Sequence, residues 1–219
     1  MALVVPDFRL ERALAAECGV GCVAGVDEAG RGALAGPVFA AAVALPLDDP
    51  TLAEALREVR DSKLLSAAVR ERLVPLIDRH AVAYGVGQAS AATIDRLGIL
   101  PATRQAMGDA IRALSPPAAA VLIDGPIRLA AVALPQRAVI RGDQLSVSVA
   151  AASILAKVSR DRYMVALHER FPDYGFARHK GYGTAEHRRV LAALGPCPEH
   201  RLTFAPVAES RGKPTDFTD

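Results

Sequence analysis

Apolar positions follow two rhythms along this chain, and those rhythms predict most of its elements. Positions 8–17 carry them on one side of a short amphipathic helix, after which Val23 to Asp27 changes to a strand period. A Gly-rich turn leads to the long apolar run Val38 to Leu45, and two strands joined so closely predict a hairpin. Leu52 to Arg60 and Ser66 to His80 read as helices, the second with Ser66 as its N-cap. Ala81 to Gly87 alternates as a third strand, and Ala91 to Leu114 holds two further helices. Pro116-Pro117 breaks the helical pattern ahead of Ala118 to Ile123, a buried strand that runs into Asp124-Gly125, and Ala138 to Ile140 follows as a shorter strand.

Gln144 to about Glu169 is expected to be the longest helix, with Val147, Ala150, Ala151, Ile154, Leu155 and Val158 forming one buried stripe. Ser146, Ser153, Lys157 and Arg160 are separated by seven, four and three positions. At about 100° per residue they fall within one narrow polar band on another face. A loop rich in Gly and aromatics, Phe171 to Gly183, precedes a helix near Ala185 to Leu194, then an irregular segment and a polar tail, Glu209 to Asp219, expected to be disordered. An antiparallel opening followed by β-α-β units argues for an α/β fold with a mixed central sheet.

With 219 residues, 51% of them apolar, the chain is long enough for one main domain and at most a small appended unit. No apolar run approaches the roughly 18 residues of a membrane span, and MALVVPDFRL lacks a basic n-region and a cleavage site, so a soluble cytoplasmic protein without membrane contact is expected. Cys18, Cys22 and Cys197 do not complete a zinc pattern and read as reduced structural cysteines. The net charge of +2 hides an asymmetry: residues 1–60 hold five Lys/Arg against nine Asp/Glu, while residues 156–191 hold eight against four. Brought together, these segments would set an acidic pocket beside a basic wall, which suits an enzyme that holds cations and binds a polyanion; a solvated surface helix accounts for the basic segment equally well.

Three acidic motifs stand at strand or helix ends. In Asp27-Glu28-Ala29-Gly30-Arg31-Gly32 a strand delivers two adjacent acids into a glycine-studded turn. Adjacent strand residues point to opposite faces, so both reach one cation only where the strand ends or bends. Asp124 closes a buried strand, where ligands of open α/β sheets gather. Asp143 stands just ahead of the long helix. Taken singly these are an acidic turn, a strand-end turn and an N-cap. Taken together, oxygen-only donors suit Mg²⁺ or Mn²⁺ rather than zinc, and two such ions suit phosphate hydrolysis. Gly30-Arg31-Gly32 offers backbone N–H groups and a guanidinium to a sugar–phosphate chain, and fits neither the dinucleotide fingerprint nor the Walker loop. Lys63, in Asp61-Ser62-Lys63, is a candidate phosphate contact or an ordinary surface lysine. In Arg178 to Thr184, basic residues flank Tyr182, which is placed to stack on a sugar or base; His179 reads better as a structural hydrogen-bonding residue.

The series GVDEAGRG, DSK-LS, LIDG, GD, SVAAASILAKVSRDRYM, GF-RHKGYGT and HR-TFAPV, running from Gly25 to about Val207, resembles the ribonuclease HII family in order and spacing. The resemblance implies a ribonuclease H-like fold with a five-stranded mixed sheet over residues 1–184, a small helical cap over 185–208 and a tail over 209–219. It also implies an endonuclease that hydrolyses the RNA strand of RNA–DNA hybrids, cuts 5′ of single ribonucleotides in duplex DNA, and leaves 5′-phosphate and 3′-hydroxyl ends. A monomer acting in ribonucleotide excision repair and DNA replication follows from the same resemblance. Asp27, Glu28, Asp124 and Asp143 would be the catalytic carboxylates holding two divalent cations, Mn²⁺ or Mg²⁺. Gly30, Arg31 and Gly32 would sense the ribose 2′-hydroxyl, Tyr182 would pack on the following deoxyribose, and Lys63, Ser153, Lys157 and Arg160 would grip phosphates. Where the family commonly carries a second lysine after Lys63, this chain has Leu64.

Two rivals stay open at this level. A strand transferase on the same fold would need DNA-end-binding domains for which 219 residues leave no room. A nucleic-acid-binding module whose acids only cap and turn would need no metal.

Overall fold

The computed structural model describes residues 5–210. Its elements run α1 (Arg9–Cys18), β1 (Val23–Ala29), β2 (Val38–Ala44), α2 (Leu52–Ala55), a 3₁₀ turn at Ser62–Leu64, α3 (Ala67–His80), β3 (Ala83–Ala89), α4 (Ala91–Leu97), α5 (Ile99–Arg112), β4 (Ala120–Asp124) and β5 (Gln136–Val139). Then follow α6 (Gly142–Leu145), α7 (Val147–Arg170), a 3₁₀ turn at Pro172–Tyr174, α8 (Phe176–His179), α9 (Ala185–Leu194) and α10 (Ala205–Ser210). Among the described residues the strands make one five-stranded sheet, β3-β2-β1-β4-β5. β1 and β2 form the expected antiparallel hairpin, β3 continues antiparallel, and β4 and β5 are parallel to β1 in a mixed sheet.

Alternation along the strands sorts the core into two layers. Ala24 and Val26 of β1 pack with Met107 and Ile111 of α5, whereas Ala29, with Ala41 and Val43 of β2, packs with Ala151 and Leu155 of α7. Asp27 stands two positions from both Ala29 and Gly25, so it lies on the α7 face. Leu122 of β4 packs with Val149 of α7, which puts Asp124 on that face as well.

Several elements differ from the expectation, each for a physical reason. The helix predicted over residues 52–60 is one turn, Leu52–Ala55, although Leu52, Leu56 and Val59 are all buried. The periodicity encoded burial, and the chain achieves it through turns, with Glu58 tied to Arg72 at 2.6 and 3.1 Å. The third strand lies two residues later than predicted because Ala81 caps α3, and its inward positions are Ala83, Gly85, Gly87 and Ala89 while Val82, Tyr84 and Val86 face outward. Small inward residues and apolar outward ones invert the usual signal. β5 lies earlier than predicted, and Ile140 is exposed where the chain turns at Arg141, which has φ 57°. The long helix starts at Val147 because Ser146 takes an extended conformation and caps it, its hydroxyl accepting from the Val149 N–H at 3.1 Å. The turn Pro172–Tyr174, α8 and α10 were not predicted; α10 takes up Glu209 and Ser210, and the rest of the predicted tail lies outside the described residues. The segment expected as a cap places Leu191 and Val207 against Leu34 in a small apolar cluster of its own.

No helix among the described residues is long and apolar enough to cross a membrane. Cys18, Cys22 and Cys197 are free thiols.

Candidate metal centre and nucleic-acid interface

Strand register brings the first two acids together. β1 and β4 pair in parallel through Val26 and Ile123, so the next residues, Asp27 within β1 and Asp124 at the end of β4, stand side by side on one face. Asp143 arrives from the α6 turn, and its neighbour Gly142 donates a backbone N–H to Asp124 Oδ1 at 2.7 Å, which fixes the two loops to each other. Carboxylate oxygens of Asp27, Asp124 and Asp143 lie within 4.8 Å of one another. More than a hundred positions of sequence separate the first from the last.

Glu28 stands beside this trio and outside it. Its Oε1 accepts from Arg31 Nη1 at 3.0 Å, while Oε2 is buried without a partner. Burial raises the Asp27 carboxyl well above the usual range, helped by the charges of Glu28, Asp124 and Asp143. Glu28 is raised by burial too, with Arg31 opposing. Asp143 is pushed up to about 6, by burial first and then by Asp124 and Asp61, with Lys63 opposing. Such crowding of oxygen donors, one of them buried and unsatisfied, is short of positive charge. Divalent hard cations fit it.

Of the basic residues singled out from sequence, Lys63 is exposed and its Nζ lies 3.4 Å from Asp143 Oδ2. Its partial burial would lower the ammonium pKa, but Asp143, Asp27 and Asp61 together hold it above the ordinary value. Asp61 is buried, accepting from Lys63 N at 2.9 Å and from Gln144 Nε2 at 3.3 Å; it shapes the turn that presents Lys63. Leu64, beside it, is exposed. Lys157 is half-buried, donates to Asp161 Oδ1 at 2.6 Å, and lies 5.4 Å from the Tyr182 ring centroid. Together with Arg70, Arg162, Arg178 and Lys180, Lys157 and Tyr182 line a cavity of about 770 Å³. Glu71, Asp161 and Glu169 are interspersed among these basic residues, and Arg70, Lys157 and Arg162 are paired with two of them.

Two residues expected to grip phosphates lie inside the fold, partnered by protein groups. Ser153 is buried, its Oγ accepting from Ser62 N at 3.2 Å and donating to Ala150 O at 2.8 Å, so it anchors the turn carrying Lys63. Arg160 is 0% exposed, and its nitrogens donate to Pro37 O, Lys180 O and Ala35 O. Only part of the polar band on α7 faces solvent: the turn at Ser62 covers Ser153 and the loops around Gly36 and Lys180 cover Arg160, supplying their partners, while Ser146 is taken by Glu11 and Lys157 lines the cavity beside Asp161. Gly30 has φ 95° and is buried, because a Cβ there would overlap Arg160 Nε; Arg31 and Gly32 form the open corner of the loop.

Two contributors were missed in the sequence. Glu11 is fully buried and accepts from Ser146 Oγ at 2.6 Å, from Ser148 N at 3.0 Å and from Ser148 Oγ, pinning the start of α7 next to Asp143. A carboxylate on the apolar stripe of Phe8 and Leu14 was the signal that marked it. The second is Arg201, buried beside the Gly30 loop.

Fold and acid cluster together define a metal-dependent nuclease with the ribonuclease H-like architecture. The family model described as Ribonuclease HII matches residues 24–207. A ribonuclease HII of Chloroflexus aurantiacus is 51% identical over 207 residues, covering 94% of this chain and 97% of that protein. Ribonuclease H2 of Pyrococcus horikoshii superposes with TM-score 0.72 at 25% identity, covering 86% of this chain and 96% of the other. The RNase HII of Archaeoglobus fulgidus, solved as a complex with PCNA, gives TM-score 0.71 at 30% identity, covering 89% and 98%. This chain belongs to the ribonuclease HII family, and it is a divalent-metal-dependent hydrolase that cleaves the RNA strand of RNA–DNA hybrids.

Proposed function

We propose that the chain cuts RNA–DNA hybrids endonucleolytically and also incises duplex DNA on the 5′ side of a single embedded ribonucleotide, leaving 5′-phosphate and 3′-hydroxyl ends. The observation that carries this is the convergence of Asp27, Asp124 and Asp143 beside Glu28, three residues ahead of the open Arg31-Gly32 corner. In this reading the four carboxylates hold two divalent cations, Mn²⁺ or Mg²⁺. Bound there, the ions supply activation of the attacking water and neutralisation of the leaving oxygen.

The remaining work falls to the protein's own side chains. Asp124, held by the Gly142 N–H, and Asp143, in the α6 turn just ahead of α7, fix the metal ligands on ordered elements. Backbone groups of Gly30, Arg31 and Gly32 read the 2′-hydroxyl, the group that distinguishes RNA from DNA. Tyr182, with Lys157 and Arg160 near its ring at 5.4 and 5.1 Å, offers its remaining surface to the next deoxyribose. Lys63 and Lys157 meet phosphates directly, while Ser153 acts through the Ser62 turn. The reading extends to a cytoplasmic monomer serving ribonucleotide excision repair and DNA replication.

Cleavage of a duplex containing one ribonucleotide, with and without Mn²⁺ or Mg²⁺, tests it. A single cut 5′ of the ribonucleotide, dependent on added ion, is expected. Equal cutting of an all-DNA duplex counts against it.

A further inference from the structure

We infer that Arg160 and Arg201 are positioning residues for substrate discrimination, their buried guanidinium groups setting the backbone of loop 30–37 and tying it to the loop that carries Tyr182. The inference rests on the proposal that these two loops read the ribonucleotide–deoxyribonucleotide junction.

All three nitrogens of the Arg160 guanidinium and two of the three on Arg201 donate to loop backbone, while Arg201 Nη2 is buried without a partner. Arg160 donates from Nε to Pro37 O at 3.1 Å and from Nη2 to Ala35 O at 3.1 Å, both in the first loop. Its Nη1 donates to Lys180 O at 2.9 Å, in the second. Arg201 enters from the C-terminal segment, with Nε on Gly36 O at 3.0 Å and Nη1 on Arg31 O at 2.9 Å, the carbonyl at the middle of Gly30-Arg31-Gly32. Backbone contacts complete the frame: Leu34 N donates to Gly181 O at 2.8 Å, and Arg201 N to Leu34 O at 2.8 Å. Lys180 takes φ 52°, a conformation costly for a residue with a Cβ, and the bond from Arg160 holds its carbonyl there.

Among the described residues neither arginine forms an ion pair with a carboxylate; their bonds go to backbone carbonyls, although both are 0% exposed. Burying unpaired guanidinium groups is costly, and it pushes Arg201 down to about 9, with Arg160 adding to the effect. Packing alone would be met more cheaply by apolar residues. A planar fork with several fixed donors does what neither an apolar side chain nor lysine does: it holds carbonyls of different segments at set angles. Gly30, whose φ of 95° already favours glycine, leaves the space that Arg160 Nε fills, so the guanidinium packs directly on the backbone of the sensing loop.

Arg160→Lys and Arg201→Lys keep the charge and lose the fork. Hydrogen exchange, Mn²⁺ affinity by calorimetry, and kcat and KM on a single-ribonucleotide duplex and on a long hybrid are measured for each. Expected is faster exchange at residues 31–37 and 180–183 together in Arg160→Lys, with Mn²⁺ affinity essentially kept. The ratio of kcat/KM on the junction duplex to that on the hybrid should fall by about tenfold or more, since small misplacements of positioning groups carry such penalties. Folded variants with unchanged exchange in both loops, or with equal losses on both substrates, overturn the inference. Failure of both variants to fold also overturns it, by making the arginines purely structural. A wild-type enzyme without junction preference would sink the junction reading alone, because the exchange result still decides whether these arginines join the loops.

Discussion

Gly25 of β1 lies so close to Val149 of α7 that a Cβ added to the glycine would overlap the valine's backbone nitrogen. Strand and helix are in backbone contact at that point, the Cβ meeting the whole Ser148–Val149 peptide group. Because backbone cannot rotate away as a side chain can, Gly25→Ala should lower stability by about 1–3 kcal/mol in urea denaturation. It should also reduce cleavage beyond what an equally destabilising Leu73→Ala does, since moving α7 moves Asp143. An alanine variant as stable as the parent would show that the contact is not tight.

Asp27→Asn and Asp124→Asn should each reduce cleavage at least about a thousandfold while hybrid binding is largely retained. For Asp27→Asn a second outcome follows from its surroundings. Burial and three neighbouring carboxylates disfavour the ionised form, so the neutral amide should raise the melting temperature of chelator-treated protein. A lower melting temperature in chelator would contradict the repulsion argument.

Glu11 satisfies a backbone N–H and two hydroxyls at the start of α7. Glu11→Ala leaves these buried donors without an acceptor, at a cost of about 1–3 kcal/mol. Glu11→Gln keeps one carbonyl oxygen and should lose less. Denaturation curves for the pair check this, and equal losses would place the effect in lost packing volume instead.

Metal and protons compete for the same oxygens. Asp143, raised to about 6, binds its proton in the folded, metal-free protein over a pH range in which the unfolded chain has already released it. Its contribution to metal-free stability is therefore lost as pH rises through about 6, and the rise in melting temperature on adding Mn²⁺ should be larger at pH 7.5 than at 5.5. Thermal denaturation at both values, with and without Mn²⁺, measures it; an equal shift at the two pH values would remove Asp143 from the ligand set.

The histidines carry the opposite sign. His200 is pushed down to about 4 by burial and then by His187, whose Nε2 lies 3.0 Å from His200 Nε2. The unfolded chain takes up its proton near the ordinary 6.5, so the stability held by neutral His200 is present above that pH and is lost as pH falls from 6.5 towards 4. The stability advantage of the parent over His200→Gln should shrink across that window in urea titrations. A constant advantage would mean that the imidazole pair does not resist protonation.

The sequence by itself determined the identities and order of the acids, the hairpin, the Ser66 cap and the apolar stripe of α7, because these depend on local spacing and backbone chemistry. It also carried the motif series that places the chain in its family. Tertiary structure alone decided that Asp27 and Asp124 stand side by side on neighbouring parallel strands, that Glu28 stands aside on Arg31, and that Ser153 and Arg160 look inward. Helical periodicity shows which residues share a face and is silent about what covers that face. Here segments distant in sequence fold over Ser153 and Arg160 and supply their partners while leaving Lys157 at the cavity, and only the three-dimensional path of the chain sets that.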